Sequence, residues 1–284
     1  MSAPNKQCSL DPVPMWLLKE CVTLLAPLIT YICNRSLSEG SMPSSLKAAV
    51  VTPLLKKPNL EKSDVKNYRP ISNLTFISKL IERCVSAQLT NYVTSNQLIQ
   101  PHQSAYRRGH STETALLKVY SDCVTAVDRG DVTLLCMLDM SAAFDTVDHK
   151  ILIDRLDKTH GIQGSVLEWM KSYLSGRVQA VVSDNKKSST SVVCRGVPQG
   201  SVLGPLLFLL YTVDLFKIIQ SHGLSDHAYA DDNQIYFHSP RDEIERNMSR
   251  LQDCISDIST WMSSNRLRLN PDKTESYGLR PLIF

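Results

Sequence analysis

Apolar residues recur along this chain with two periods, and the alternation between them marks out helices and strands. Residues 14–36 read as a helix with a kink expected at Pro27, where the ring removes a backbone donor. "SEGSMPSS" breaks that pattern, and "LKAAVVTPLLKKPN" reads as an extended strand ending in a basic turn. "NYRPISNLTFISKLIERCVSAQLTNYV" opens with a turn and becomes an amphipathic helix, with Ile77, Leu80, Ile81, Val85 and Leu89 on one face. In "HQSAYRRGHSTETALLKVYSDCVTAVDRG", Ser111 or Thr112 can cap a helix whose inward face is Ala115, Leu116, Val119, Cys123 and Val127, and Gly130 closes it.

"DVTLLCMLDM" is short, almost wholly apolar and bounded by polar residues, which predicts a buried strand. "DHKILIDRLDKTHG" and "GSVLEWMKSYLSG" predict two more helices, and "VQAVVSDNKKSSTSVV" a hairpin turning at residues 184–187. A glycine-rich loop, "GVPQGSVLG", feeds the buried helix "PLLFLLYTVDLF". "HAYADDNQIYF" predicts a second hairpin with Ile235 and Phe237 on one face. A final amphipathic helix, "RNMSRLQDCISDISTWMSSNRL", precedes a strand and turn in "RLRLNPDKTE". Mixed helices and antiparallel hairpins place the fold in the α+β class.

Composition narrows this picture only a little. The 284 residues are 43% hydrophobic and 21% charged, which excludes a disordered chain and supplies a core for one large or two modest domains. A net charge of +3 permits a nucleic-acid partner without requiring one. The eight cysteines form no C-x-x-C pair and sit mostly in apolar stretches, as small core residues in a reducing compartment do. "VTLLAPLITYIC" is too short to span a bilayer and contains Pro27, so no membrane partner is expected. With no targeting signal visible, the expected location is intracellular, in nucleus or cytoplasm.

The candidate chemistry lies at two strand ends. Asp139 closes the buried run "TLLCMLDM", and the adjacent Asp231 and Asp232 close "HAYA". Turn chemistry accounts for either end taken alone, because aspartate favours loops. A carboxylate at a buried strand end is costly unless paired, and a divalent cation shared between the two ends would offset that cost. Mg²⁺ prefers such oxygen donors, and a pair of ions about 3.5–4 Å apart stabilises both oxygens of a phosphoryl transfer.

In its ordered motifs the chain resembles the reverse transcriptase domain of a LINE-type, non-LTR retrotransposon. "AVVTPLLKKPN" and "NYRPISNLTFISKLIER" resemble the first finger motifs, "HQSAYRRGHSTETALL" the segment between fingers and palm, and "LDMSAAFDTVDH" the first palm aspartate motif. "GVPQGSVLGPLLFLLYTVDL", "AYADD" and "WMSSNRLRLNPDKTE" resemble the palm motifs that follow. The resemblance implies right-hand polymerase fingers and an antiparallel palm sheet backed by helices. Residues 1–45 would be a helical extension, 46–280 the fingers and palm, and 281–284 a tail.

It also implies site roles. Asp139 and Asp231 would hold two Mg²⁺ ions (Mn²⁺ as a substitute), with Asp232 completing the cluster and the main-chain oxygen of Met140 adding a ligand. Phe144 would be a steric gate against a 2′-OH, a role compatible with core packing. Gln199 and Gly200 would line the nucleotide and template pocket. Arg69 and Lys57 would clamp the triphosphate, Lys273 would protonate the pyrophosphate, and Arg107 and Arg108 would meet nucleic-acid phosphates. The partners implied are an RNA template, a DNA primer and deoxynucleoside triphosphates; nothing in the sequence speaks to oligomeric state.

"SYGLRPLIF" departs from the continuation that the resemblance leads one to expect after "PDKTE", so fingers and palm with the thumb absent are the expectation. That opens a second reading, a catalytically silent remnant that folds or binds nucleic acid. A third, an RNA-dependent RNA polymerase, is disfavoured by Phe144, since such an enzyme must accept a 2′-OH.

Overall fold

The computed structural model describes residues 8–270 and 273–279. In chain order the elements are α1 (Met15–Glu20), α2 (Val22–Ser38), β1 (Ala48–Leu55), β2 (Tyr68–Asn73), α3 (Phe76–Ser95), α4 (Thr112–Asp128), β3 (Val132–Leu138), α5 (His149–Lys158) and α6 (Gly164–Leu174). They continue with β4 (Arg177–Ser183), β5 (Lys186–Lys187), β6 (Ser191–Val193), α7 (Gly204–Thr212), α8 (Asp214–Ser221), β7 (Ser225–Tyr229), β8 (Asp232–Ser239), α9 (Ile244–Ser264) and β9 (Glu275–Leu279). The chain divides into two compact units. One comprises residues up to Ser95 together with His149–Leu207; the other comprises Asn96–Asp148 and the residues from Phe208 onward.

The first unit is built on a sheet of order β2-β1-β4-β5, with β6 also paired to β4. β1 runs antiparallel to β2 and parallel to β4. The turn expected at "NYRPIS" is instead strand β2. As the edge strand it tolerates Pro70, which sits opposite Pro53 and needs no outward donor. The single helix expected over residues 14–36 is divided in two, and the expected kink site Pro27 falls within the second helix. Helix geometry breaks at Cys21 (φ −93°, ψ 16°), and Pro27 lies inside a continuous α2. The β4–β5 hairpin turns on Asp184 and Asn185 alone, both at positive φ (50° and 61°), tighter than the four-residue turn expected.

The second unit holds an all-antiparallel sheet of order β7-β8-β3-β9. α4 packs on β3 and β7, α8 on β7, and α9 on β8. β8 is an interior strand, so Ile235, Tyr236 and Phe237 are all buried, not one face alone. α4 starts with a capping box between Ser111 and Thr114. It buries Ala115, Val119, Cys123 and Ala126, while Leu116, expected inside, is 65% exposed. The strand expected near "RLRLN" contributes only a bridge from Leu269 to Met140; the full strand there is β9, later in the chain.

The run Gly204–Ser221 has the length and apolarity of a membrane span, but it is divided between α7 and α8 and 67% of it is buried within the protein, as in a core helix. All eight cysteines are free, and five of them are buried.

Candidate active site

Register brings two of the acids together. β3 pairs antiparallel with β8 so that Leu138 faces Asn233. One step further, Asp139 leaves β3 level with Asp232, the first residue of β8. Asp232 keeps solvent contact, yet burial and then the charge of Asp139 push its carboxyl above the usual value, with Lys273 acting in the opposite sense. The Nζ of Lys273 lies 3.4 Å from Oδ2 of Asp139, and Asn270 Nδ2 donates to the same oxygen at 3.1 Å.

The backbone beneath Asp139 is equally fixed. Asn270 N–H donates to the Asp139 carbonyl at 2.9 Å, Met140 bridges Leu269, and Ser141 N–H donates to the Arg268 carbonyl at 2.9 Å. Met140 itself is buried. Residues 271 and 272 of "PDK" lie outside the described residues.

Asp231 occupies the second position of the two-residue β7–β8 turn, after Ala230 and beside the paired Tyr229 and Asp232. Its charge bears on Tyr106, whose hydroxyl is raised first by burial and then by Asp231. Among the described residues no three His, Cys, Asp or Glu side chains form one ligating group. Of the three acids expected to cluster, Asp139 and Asp232 are brought close enough for one charge to act on the other, and Asp231 precedes Asp232 in the turn. The donor set still suits a hard cation, since Mg²⁺ commonly takes one or two carboxylates and completes its shell with substrate phosphates and water. The Asp232 carboxyl is raised by burial first and by the charge of Asp139 second, and Lys273 offsets these only in part.

That shift has a sign that can be tested. A carboxyl raised above its ordinary 3.8 holds its proton more tightly in the folded protein than in the unfolded chain. Its contribution to stability is present below pH 3.8 and is lost as the pH climbs through the raised value. In chelator at neutral pH, Asp232→Asn is expected to raise Tm by about 2 °C, a gain that fades toward pH 3. Thermal unfolding of both proteins across pH checks this; a lower Tm for the variant at neutral pH contradicts it.

Phe144 lies in the turn after Asp139, where Ala142 adopts φ 48° and accepts from the N–H groups of Asp145 and Thr146. Its ring is partly exposed and stacks on Phe208, with centroids 4.7 Å apart and planes at 26°. The ring is thus braced by Phe208 while part of it stays open to solvent.

Arg107 turns one nitrogen inward. Its Nη1 donates to the carbonyls of Gln100, Pro101 and Gln103 at 3.1, 2.9 and 2.9 Å. Arg108 is exposed.

The remaining candidates belong to the first unit. Arg69 is exposed on β2 opposite Leu54, and Lys57 is exposed in the loop that joins β1 to β2. The carbonyl of Gln199 accepts from Ser72 N–H at 2.7 Å, tying the "VPQGS" loop to β2. Gly200 has φ +112°, and a Cβ there would stand 2.7 Å from the Ser72 carbonyl oxygen. Gly200→Ala is therefore expected to cost about 2 kcal/mol through strain and collision with backbone. A urea unfolding midpoint unchanged from the parent protein contradicts this.

Glu82 holds the other end of the loop. Its fully buried carboxylate accepts from the N–H groups of Val202 (2.7 Å) and Leu203 (3.1 Å), just before α7. Burial raises its carboxyl, and those two donors pull it back.

Glu82 and Asn270 were not among the residues expected from sequence. Glu82 does carry a signal, an acid at helical spacing with the buried Ser78, Val85 and Leu89, where an ionisable group needs a partner. Asn270, before a proline, reads only as a turn former.

Residues 55–280 match the family model described as "Reverse transcriptase (RNA-dependent DNA polymerase)". The chain is 32% identical over 253 residues to the probable RNA-directed DNA polymerase from transposon BS of Drosophila melanogaster, spanning 87% of this chain and 27% of that protein. It is 28% identical to the RNA-directed DNA polymerase from mobile element jockey of Drosophila funebris, over 86% of this chain and 27% of the relative. The chain thus spans about a quarter of the length of these relatives.

Among solved structures it is similar to apo telomerase from Candida tropicalis truncated from its C-terminal domain, with TM-score 0.58, 13% identity, and coverage of 82% of this chain and 50% of that one. Telomerase from Candida albicans in complex with a fragment of telomeric RNA gives TM-score 0.56 at 15% identity, over 93% of this chain and 46% of the other. At these identities the likeness is one of fold, that of polymerase fingers and palm.

Proposed function

Because the chain belongs to the reverse transcriptase (RNA-dependent DNA polymerase) family, we propose that it is the RNA-directed DNA polymerase domain of a non-LTR retrotransposon, joining deoxynucleotides to a primer 3′-OH on an RNA template. The observation that carries this reading is the meeting of Asp139 and Asp232 at the ends of paired strands β3 and β8, with Asp231 in the adjoining turn. Enzymes of this family use divalent metal ions. Here Mg²⁺, or Mn²⁺ in its place, would be held by Asp139, Asp232, Asp231 and the main-chain oxygen of Met140, and when bound would acidify the primer hydroxyl and offset charge on the departing pyrophosphate.

The chain's own groups do the rest. Phe144, backed by Phe208, is assigned as the gate whose flat ring would leave no room for a ribose 2′-OH. Lys273, whose Nζ lies 3.4 Å from Asp139 Oδ2, is assigned to protonate the leaving group. We assign Arg69 and Lys57 to the triphosphate, and Gln199 and Gly200 to the nucleotide and template strand. Arg108 and the outward part of Arg107 are assigned to nucleic-acid phosphates. Catalysis on this reading is mostly position and charge.

Purified protein with Mg²⁺, an RNA template and a DNA primer is expected to extend the primer by at least one deoxynucleotide. Incorporation no greater than that of an Asp139→Asn/Asp232→Asn double variant would overturn the catalytic reading and leave a folded remnant that at most binds nucleic acid.

A further inference from the structure

The turn that bears the acids is gripped by a side chain far upstream. Gln103 is buried, with 2% of its surface exposed. Its Oε1 accepts from the N–H groups of Ala230 (3.1 Å) and Ala105 (2.9 Å), and its Nε2 donates to the Ala230 carbonyl at 3.4 Å. Two N–H groups on one side and a carbonyl on the other fix which end of the amide is oxygen. One side chain thus satisfies both backbone groups of Ala230. That residue adopts φ +61°, a left-handed conformation that glycine enters freely and alanine only against steric resistance. Asp231 and Asp232 are the next two residues.

The grip is itself anchored. Residues 102–104 lie along the outer edge of β7: Ala228 N–H donates to the His102 carbonyl and Ser104 N–H to the Ala228 carbonyl, both at 2.9 Å. Ser104 Oγ hydrogen-bonds His227 Nε2 at 2.9 Å. Arg107, through the three carbonyls it holds, fastens the same segment. A buried amide with polar partners in register could serve stability alone. Here its partner is the one residue of the hairpin turn at positive φ, immediately before the acids.

We propose that Gln103 is a positioning residue for nucleotidyl transfer: its amide clamps Ala230 in the left-handed conformation and thereby sets where Asp231 and Asp232 present their carboxylates. The proposal rests on the polymerase reading and adds to it the part that aims the acids. Gln103→Leu removes the clamp while roughly keeping volume. It is expected to raise the Mg²⁺ concentration for half-maximal primer extension by about 10–100-fold, the range seen when a group that orients a metal ligand is lost. Ala230→Gly removes the steric resistance at φ +61°. Added to Gln103→Leu it should recover about threefold or more of the loss, though it has little effect alone.

Two readouts do not need activity. Amide hydrogen exchange in Gln103→Leu should quicken at the β7–β8 turn while β3 stays protected, and Mn²⁺ affinity, followed by electron paramagnetic resonance, should fall with the Mg²⁺ response. If Gln103→Leu does not fold, Gln103→Met carries the same test. Exchange that is unchanged, or quickened evenly across the sheet, overturns the proposal, as does a loss of activity with no shift in metal dependence. A parent protein that extends no primer defeats the polymerase reading instead, and the exchange pattern at the turn still decides whether Gln103 is its clamp.

Discussion

Asp139→Asn is expected to reduce nucleotide incorporation by roughly 10³-fold or more, because several kcal/mol of transition-state charge stabilisation depend on a bound cation that this carboxylate would help to hold. The loss should not come from unfolding. Asparagine keeps the side-chain length, and the backbone of residue 139 remains tied to Asn270 through main-chain atoms. What disappears is the ion pair to Lys273, whose side chain is 61% exposed, so its removal costs little stability. Single-turnover primer extension with circular dichroism on the same preparation separates the two effects. Incorporation retained to within a few-fold, in a folded variant, places the chemistry elsewhere.

Phe144→Val is expected to let ribonucleotides in. The preference for deoxyribonucleotides should fall by about 10–100-fold, as expected when the side chain that fills the space of a rejected group is cut back. The substitution also removes the stack on Phe208, so some stability is lost. The ratio of kcat/KM for the two sugar types on one preparation is insensitive to that loss. An unchanged ratio would leave Phe144 as a packing residue only.

How much of this was legible in the sequence depends on the range of the interaction. α3, α5, α6 and α9 follow from local period, and β3 from an apolar run bounded by polar residues. β2 was missed because Tyr68, Arg69 and Pro70 look like a turn, and only an edge position makes a strand of them. The parallel pairing of β1 with β4 joins segments more than a hundred residues apart, which no local pattern encodes. Leu116 was placed inside because its spacing fits the buried face about as well as that of Ala126, and only packing decides between them.

The site divides in the same way. Asp139, Asp231 and Asp232 stand out because acids close apolar strands. Gln103 and Asn270 act through hydrogen bonds to residues over a hundred positions away, and a lone amide carries no sign of its partner. Arg107, which the resemblance assigns to nucleic-acid phosphates, also donates to three carbonyls, and no local signal announces them.

The central claim is that the ends of β3 and β8 form one metal seat that works in nucleotide addition. Its most direct test is the count of Mn²⁺ ions held by the protein with RNA template, a chain-terminated DNA primer and the matching deoxynucleoside triphosphate. Two ions in the parent protein, with affinity lost in both Asp139→Asn and Asp232→Asn, is the result expected. Equal binding by parent and variants would contradict it.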